Sequence, residues 1–579
     1  MILPALVALY ERLLAEPESD LPRPGWSRRS VAFALELSPD GEPLPLHDLR
    51  KPDSKRMLPV GLVVPDHGET RTSAAKDQPY FLCDATAFIL GGDDKKGDKA
   101  AAYFASARKL HLDLLAGCDD PGAVALRRFF ERWDTGRIPD IVKNLNWVKD
   151  VSGTNLVFRL TGQPGFLHQR PALARLWQQY FDRRSPSERG QCLVTGEVAP
   201  IARTHPGIKL PGTTGNGAMM VSFNAGAFTS YGHDQGMNAP VSEYAMFAYS
   251  TALSELLRPV RRQRVQLGNT TLLFWADRPC EEESLFPSLL DGGEADVAAE
   301  SRLHKAVRDL RDGRGRADSL AGIAADSTFH ILGIDAPGGS RVAIRFWFVS
   351  TLGELLERVA DHQRALRIEK SHPERDHDLP GSWQLLRAAT PPGRDAKPPA
   401  PLQESFLRAV LTGAPYPTGL MARVLDRIRS EYGPYESVSY LRVALLKACL
   451  TRPKSTWEPP MTLNPEDNDS AYRLGRLFAA LERAQQLALG HGLNATIKDR
   501  YFGTASASPK AVFPNLIRLA QHHLSKAENS GWLDGLIGQI MEGLTAFPAH
   551  LALDAQARFA LGYYHQRNDL WRSKKQPES

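Results

Sequence analysis

The stretch ATPPGRDAKPPAPLQ (389–403) separates two kinds of sequence. Its prolines lack a backbone N–H, and its Gly-Arg-Asp step is a turn signal, so it interrupts both helices and strand ladders. It reads as an exposed connection. Before it, helical and strand-like segments are interspersed. SVAFALEL (30–37) alternates and ends at the turn Pro39-Asp40-Gly41; MLPVGLVVP (57–65), TNLVFRL (154–160), TTLLFWA (270–276) and RVAIRFWFV (341–349) are further strand candidates. Residues 99–115 and 124–133 are helical by spacing, but no regular strand–helix alternation of a doubly wound fold develops. After the connection, strand signals fade. Residues 405–411, 421–430 and 438–450 are helical, and Leu474, Leu477, Phe478 and Leu481 begin a series of amphipathic helices that ends with residues 554–571. The expected fold is α+β, a mixed N-terminal region followed by an all-α C-terminal bundle. Its expected divisions are 1–390, a linker at 391–402, a helical connecting segment at 403–460 and the bundle at 461–579.

Length and composition exclude several classes. A chain of 579 residues needs more than one core, and 42% hydrophobic with 24% charged residues is ordinary for a globular protein. A formal charge of +5 is too small at this length to mark a nucleic-acid binder unless the cations cluster. Cys83, Cys118, Cys192, Cys280 and Cys449 are far apart and form no CxxC pair, which argues against a zinc ribbon or a disulfide scaffold. Free thiols suit a reducing cytoplasm. The N-terminal 20 residues acquire charge too early for a signal peptide, and no apolar run can span a bilayer.

The stretch from Gly212 to Leu257 is almost free of charge. Its first half suits no regular element: glycines, Thr213, Thr214, Asn216, Ser222 and Asn224 alternate with Phe223, Phe228 and Tyr231. Its second half reads as a buried helix, with Asn238 as cap and Pro240 in the first turn. GTTGNG (212–217) lacks the Lys-Ser/Thr ending of a phosphate-binding loop and does not match GxGxxG. His233-Asp234 and His377-Asp378 are isolated HD dipeptides, and His522-His523 would point about 100° apart on a helix. No nucleophile–base–acid arrangement emerges, so neither catalysis, nor a metal, nor a cofactor is expected.

Several blocks together resemble one family. SFNAGAFTSYG (222–232), Gln235 and NAPVSEYAMFAYSTAL (238–253) are similar to the most distinctive block of the large subunit of the type I-C CRISPR surveillance complex, Cascade. The likeness continues in YFLCDATAFILG (80–91), CLVTGEVAPIARTHPGIKL (192–210), GNTTLLFWAD (268–277), LTGAPYP (411–417), AYRLGRLFAALERAQ (471–485) and FALGYYHQRNDLW (559–571). The resemblance implies a non-catalytic, cytoplasmic subunit that recognises a protospacer-adjacent motif in duplex DNA, promotes strand opening and R-loop formation, and helps recruit a helicase–nuclease. Implied partners are CRISPR RNA, the backbone and RNA-processing subunits, duplex target DNA with its displaced strand, and a small helical subunit translated from inside the same gene. Met461, directly after Pro459-Pro460, is the candidate internal start, with Met421 as the second choice.

Motif reading needs short polar donors at base edges with cations to position the backbone. Two segments supply them. In GETRTSAAKDQ (68–78), Arg71 and Lys76 can hold phosphates, while Thr72, Ser73 and Gln78 can meet bases. In residues 209–224, Thr214, Asn216 and Ser222 are the candidate readers. For the displaced strand, Arg423 and Arg427 lie around one helix; Arg473, Arg476 and Arg483 share one side of another, away from its apolar stripe; Lys498 and Arg500 follow. For each loop residue a solvated loop or an interior hydrogen bond remains open, and for each helical cation a solvated helix face with local salt bridges. Two other readings also stay open: a metal-dependent nuclease using His233 or His377, and an architectural subunit that touches no bases.

Overall fold

The computed structural model describes residues 1–17, 19–53, 56–68, 77–143, 145–183, 188–291, 300–393, 396–431, 437–452, 457–490 and 496–572. They fall into two compact units: residues 1–209 with 214–255, and residues 210–213 with 256–579. The fold is α+β.

In the first unit, α1 (Ile2–Ala15) leads into β1 (Trp26–Val31) and β2 (Phe33–Leu37). These divide the alternating run at 30–37 between two sheets. β3 (His47–Asp48), β4 (Val60–Pro65), β5 (Cys83–Ala85) and β6 (Asn155–Leu160) complete them. β1 pairs with β4 as an antiparallel ribbon, Trp26 opposite Pro65 and Val31 opposite Val60. The four-stranded sheet has the order β3-β2-β6-β5, with β2 and β6 parallel. The inward residues Phe33, Leu35, Leu156 and Phe158 meet Phe129 and Phe130 of α3 and Trp177 of α4 in one core; α2 (Lys99–Leu115), α3 (Pro121–Arg132) and α4 (Pro171–Asp182) are its helices. Burial of such side chains contributes roughly 1.5–3 kcal/mol each.

The charge-poor stretch departs from expectation at its centre. Two short ribbons, β7 (Arg189–Gln191) with β8 (Val198–Pro200) and β9 (Gly207–Ile208) with β10 (Ala218–Met219), precede α5 (Glu243–Leu256). The helix begins at Glu243, three residues after Pro240, and the Ser242 hydroxyl accepts the Ala245 N–H at 3.2 Å. Asn238 does not cap it; its amide is committed to the preceding loop. The apolar reading of the helix holds: Ala245, Ala248, Tyr249, Ala252 and Leu253 are fully buried.

The second unit opens with an antiparallel sheet in simple order, β11 (Arg264–Leu267), β12 (Thr270–Ala276), β13 (Thr328–Asp335) and β14 (Ala343–Thr351). Among the described residues every named element after Thr351 is a helix: α6 (Leu352–Leu366), Ser382–Ala388, α7 (Ala400–Thr412), α8 (Thr418–Ser430), α9 (Tyr440–Thr451), α10 (Ser470–Leu489), α11 (Ile497–Ala507), α12 (Pro509–Leu524), α13 (Gly531–Glu542) and α14 (Leu553–Arg572). One core runs through sheet and helices, joining Phe274, Leu355, Phe406, Leu445, Phe478 and Phe559. Packing therefore changes at 255/256, whereas the divisions at 390 and 460 follow composition within this one unit. The described part of the proline-rich connection is fastened: the Arg387 guanidinium donates to the Ala396 carbonyl and the Gln403 amide to that of buried Pro398, each at 2.6 Å.

α10 and α14 approach each other closely. A Cβ on Gly475 would lie 2.0 Å from the Phe559 carbonyl oxygen, and one on Gly562 would lie 2.0 Å from that of Tyr472. No larger residue fits either position without moving a helix axis. With neighbours on most sides, α10 is buried almost throughout.

Candidate nucleic-acid interface

Residues 69–76 lie outside the described residues, so Arg71, Thr72, Ser73 and Lys76 do too. Gln78 is half-buried. The chain on either side of that segment is well fixed. Asp66, at the end of β4, is buried, and its Oδ1 accepts the Gly68 N–H at 2.9 Å. Its Oδ2 accepts two N–H bonds from Arg29, at 2.9 and 2.7 Å, and one bond from the Ser27 hydroxyl. Burial works against the Arg29 charge, but Asp66 and the Tyr80 ring, 3.7 Å below the guanidinium, raise its pKa overall. The His67 ring and the Pro79 carbonyl meet at 3.0 Å across the base of the segment. Asp66 and Gly68 thus form an Asx turn, and the sequence PDHG carries that signal.

The far side of the same base rests on His111. Leu82 stands in the left-handed region, at φ +59°, which is uncommon for a branched residue. Its N–H donates to His111 Nε2 at 3.0 Å, while His111 Nδ1 lies 2.7 Å from the Ala107 carbonyl. This pair of bonds requires a neutral ring with its proton on Nδ1. Phe81 and Phe130 stack on the imidazole at 5.1 and 4.3 Å. Complete burial brings the His111 pKa down to about 4.

The second candidate loop is closed by glycines. β9 pairs Gly207 with Met219 and Ile208 with Ala218. Gly217 has φ +78°, and a Cβ there would come within 2.8 Å of the Gly207 carbonyl carbon; a Cβ on Gly207 would lie 2.0 Å from the Asn216 oxygen. Thr214 and Asn216 are exposed just before this closure, and Ser222 is half-buried after it. Farther on, the Asn238 side chain accepts the Ser230 N–H at 2.8 Å and donates to the carbonyls of His233 and Gln235 at 2.9 and 3.0 Å. These bonds hold up Tyr231, which is 98% exposed.

The two loops share a rim. Gly68 and Tyr80 at the root of the first, and Gly207 and Ile208 at the root of the second, line one cavity of about 770 Å³ within the first unit. Trp26, Tyr244 and Phe247 form apolar parts of its wall. Its cations are largely spoken for: Arg28 pairs with Asp20 at 2.7 Å and Glu255 at 3.4 Å, and Arg29 with Asp66 at 2.7 Å. Arg203, also on the wall, is exposed and has no ion pair among the described residues. The cavity is therefore close to neutral and serves as the scaffold of two polar loops. Beside it, Cys192 accepts N–H bonds at Sγ from Val194, Thr195 and Ser242. Burial raises its thiol pKa, but the bonds from Ser242 and Thr195 outweigh that and bring it to about 7.

The helical arginines correct the expectation of an open basic face. Arg473, Arg476 and Arg483 are all at most 9% exposed. Arg473 donates to the Asp467 carbonyl and the Asn468 side chain, both at 2.7 Å, and Arg476 to Gln566 at 3.0 Å and the Pro465 carbonyl at 2.7 Å. A helix packed on most sides has no spare polar face, so Arg473 and Arg476 are absorbed by loop carbonyls and neighbouring amides, while Arg483 lies 5.0 Å from the Trp571 ring centroid. Arg427 is half-buried, bonded to Ser430 and 3.7 Å from Glu431. Arg423 and Arg500 are exposed, and Lys498 is half-buried. His233 and His377 are exposed; Asp378 is paired with Arg308 and Arg311 at 3.2 and 3.1 Å. Among the described residues no group of three or more His, Cys, Asp or Glu side chains could hold a metal, and no helix is long and apolar enough to cross a membrane.

An α+β chain whose two polar loops stand on one nearly neutral scaffold is the class of protein that fold and site define. The profile of the family described as CRISPR-associated protein (Cas_Csd1) matches residues 6–571. The chain belongs to that family. No curated protein matches it.

Proposed function

We propose that this chain is the non-catalytic large subunit of a type I-C CRISPR surveillance complex, Cascade. It recognises the protospacer-adjacent motif in duplex DNA through residues 68–78 and 209–224. It promotes strand opening and R-loop formation, and helps recruit the helicase–nuclease. The guide RNA reads the remaining target by base pairing, so the protein needs only a short polar reading surface. What carries this reading is the common root of the two loops: Gly68 and Tyr80 on one side, Gly207 and Ile208 on the other, line the same cavity. Two polar loops rooted on one scaffold suit adjacent base pairs, and Arg203 adds an uncommitted cation for a phosphate beside them.

In the helical unit, Arg423 and Arg500 are the exposed cations of the expected displaced-strand set, whereas Arg473 and Arg476 serve the interior. CRISPR RNA, the backbone and RNA-processing subunits, and a small helical subunit started at Met461 are the proposed partners. The decisive test replaces Lys76 and Gln78 together with alanine in the assembled complex. Binding to duplexes with the correct motif should fall at least tenfold, while binding to motif-free DNA stays within twofold. Unchanged motif discrimination would remove the first loop from the reading, and discrimination by a complex lacking this chain would end it.

A further inference from the structure

The second unit holds a cavity that neither candidate loop uses. α10, α13, α14 and the turn before α13 surround about 570 Å³, whose wall includes Arg483, Leu487, Glu528, Trp532, Asp569 and Leu570. Arg483 is 3% exposed, and its Nε is buried without a hydrogen-bond partner. No ion pair to it exists among the described residues, and burial lowers its pKa. Its guanidinium lies 5.0 Å from the Trp571 ring centroid, a contact that offsets only part of the desolvation. Opposed to this cation is an uncovered aromatic: Trp532 is 52% exposed.

The wall's charges narrow the ligand. Glu528 and Asp569 are exposed carboxylates, and Asp569 also accepts from the Gln566 amide at 3.4 Å. One cation against two anions disfavours a bare phosphate or carboxylate. A flat neutral ring with acceptors on one edge and N–H donors on another satisfies every group. Guanine offers O6 and N7 together to a guanidinium, the commonest bidentate base contact, and N1–H with N2–H₂ to a carboxylate. Adenine would turn its N6–H₂ donor toward the guanidinium, and thymine and cytosine lack the paired O6/N7 edge.

We propose that this cavity receives an unstacked guanine base of single-stranded nucleic acid, with Trp532 against the ring face, Arg483 on the O6/N7 edge and Asp569 or Glu528 on the N1/N2 edge. The sugar and phosphate stay outside the carboxylate-lined mouth. The inference stands on the second unit alone and does not depend on motif reading by residues 68–78.

The full-length protein, labelled with 5-fluorotryptophan, is titrated with GMP, AMP and inorganic phosphate. The Trp532 signal is assigned by its loss in Trp532→Phe. GMP should shift that signal and bind at least tenfold tighter than AMP, with no shift from phosphate. Trp532→Ala should weaken GMP about tenfold or more, since a stacked base contributes that much in single-strand sites. Asp569→Asn with Glu528→Gln should narrow the GMP/AMP ratio below threefold without unfolding, which keeps the test open should Arg483→Gln fail to fold. Short single-stranded DNA and RNA, each with one guanine or one adenine, distinguish the two sources by which sugar gives the guanine preference. A phosphate shift equal to that of GMP, equal affinity for AMP, full GMP affinity in Trp532→Ala, or no guanine preference in either strand would overturn the proposal.

Discussion

Taking the protein from pH 7 to pH 4.5 should loosen the base of the first polar loop through His111. In the native state burial holds its pKa at about 4, whereas in an unfolded chain it titrates near ~6.5. The unfolded state therefore binds the proton first as pH falls. Stability is full above ~6.5, is lost between ~6.5 and about 4, and levels off below that, where both states are protonated. A difference of roughly two and a half pH units at about 1.4 kcal/mol per unit gives a total of about 3.5 kcal/mol, most of it gone by pH 4.5. The loss has a defined place, because a protonated ring cannot accept the Leu82 N–H. Hydrogen exchange of peptides from 80–91 should report it as faster opening at pH 4.5, corrected for intrinsic rates, and ¹³C-labelled imidazole should give the midpoint directly. His168 and His205 are also lowered to about 4 by burial and contribute to acid sensitivity of the same unit. His111→Gln separates them, since it should remove about 2–3 kcal/mol of the pH dependence in this peptide. A His111 midpoint near ~6.5, or undiminished acid sensitivity in His111→Gln, would refute the argument.

Asp66→Ala should destabilise the first unit by about 1–3 kcal/mol in urea unfolding, because it removes the carboxylate partner of half-buried Arg29 and leaves the Ser27 and Gly68 donors unpaired. Asp66→Asn should be milder, since an amide oxygen still accepts from Gly68. Gly217→Ala meets a left-handed φ and the Gly207 backbone, so it should open the β9–β10 ribbon at a cost of about 1–3 kcal/mol and raise exchange of the Ile208 amide. Gly562→Ala should lower the thermal midpoint of the helical unit by several degrees, in line with about 2–3 kcal/mol of overpacking, while exchange in residues 26–65 stays unchanged.

Much of the fold was legible because it rests on periodicity. The strands at 270–276 and 341–349 and the helices at 99–115 and 554–571 stand within two residues of their observed bounds, which is where spacing and terminators agree. β13 was not legible: His330 interrupts TFHILGID (328–335), and its place beside β12 and β14 is set by long-range pairing. Asn238 precedes Pro240 and an apolar run, a good cap signal, yet its amide goes to the loop behind it. The site was legible only as loops. Sequence placed polar residues at 68–78 and 209–224, but the shared rim depends on β1, β4 and α5 meeting, which no local pattern encodes. The arginines of α10 were misread for a related reason. Helical spacing shows which side is apolar, not whether another helix covers the opposite side.

Both candidate loops are tied off at their own bases, one by His67 with Pro79 and the turn at Asp66, the other by Gly207 against Gly217. What lies beyond the first knot can change in composition or length without disturbing the core, whereas the second loop has to keep Leu210, which is buried. Lengthening a closed loop costs only about 0.6 kcal/mol per doubling. On the proposed function the two loops are exchangeable parts, and loops transplanted between members of the family at residues 68/79 and 207/218 should carry a base preference with them while the scaffold keeps its stability.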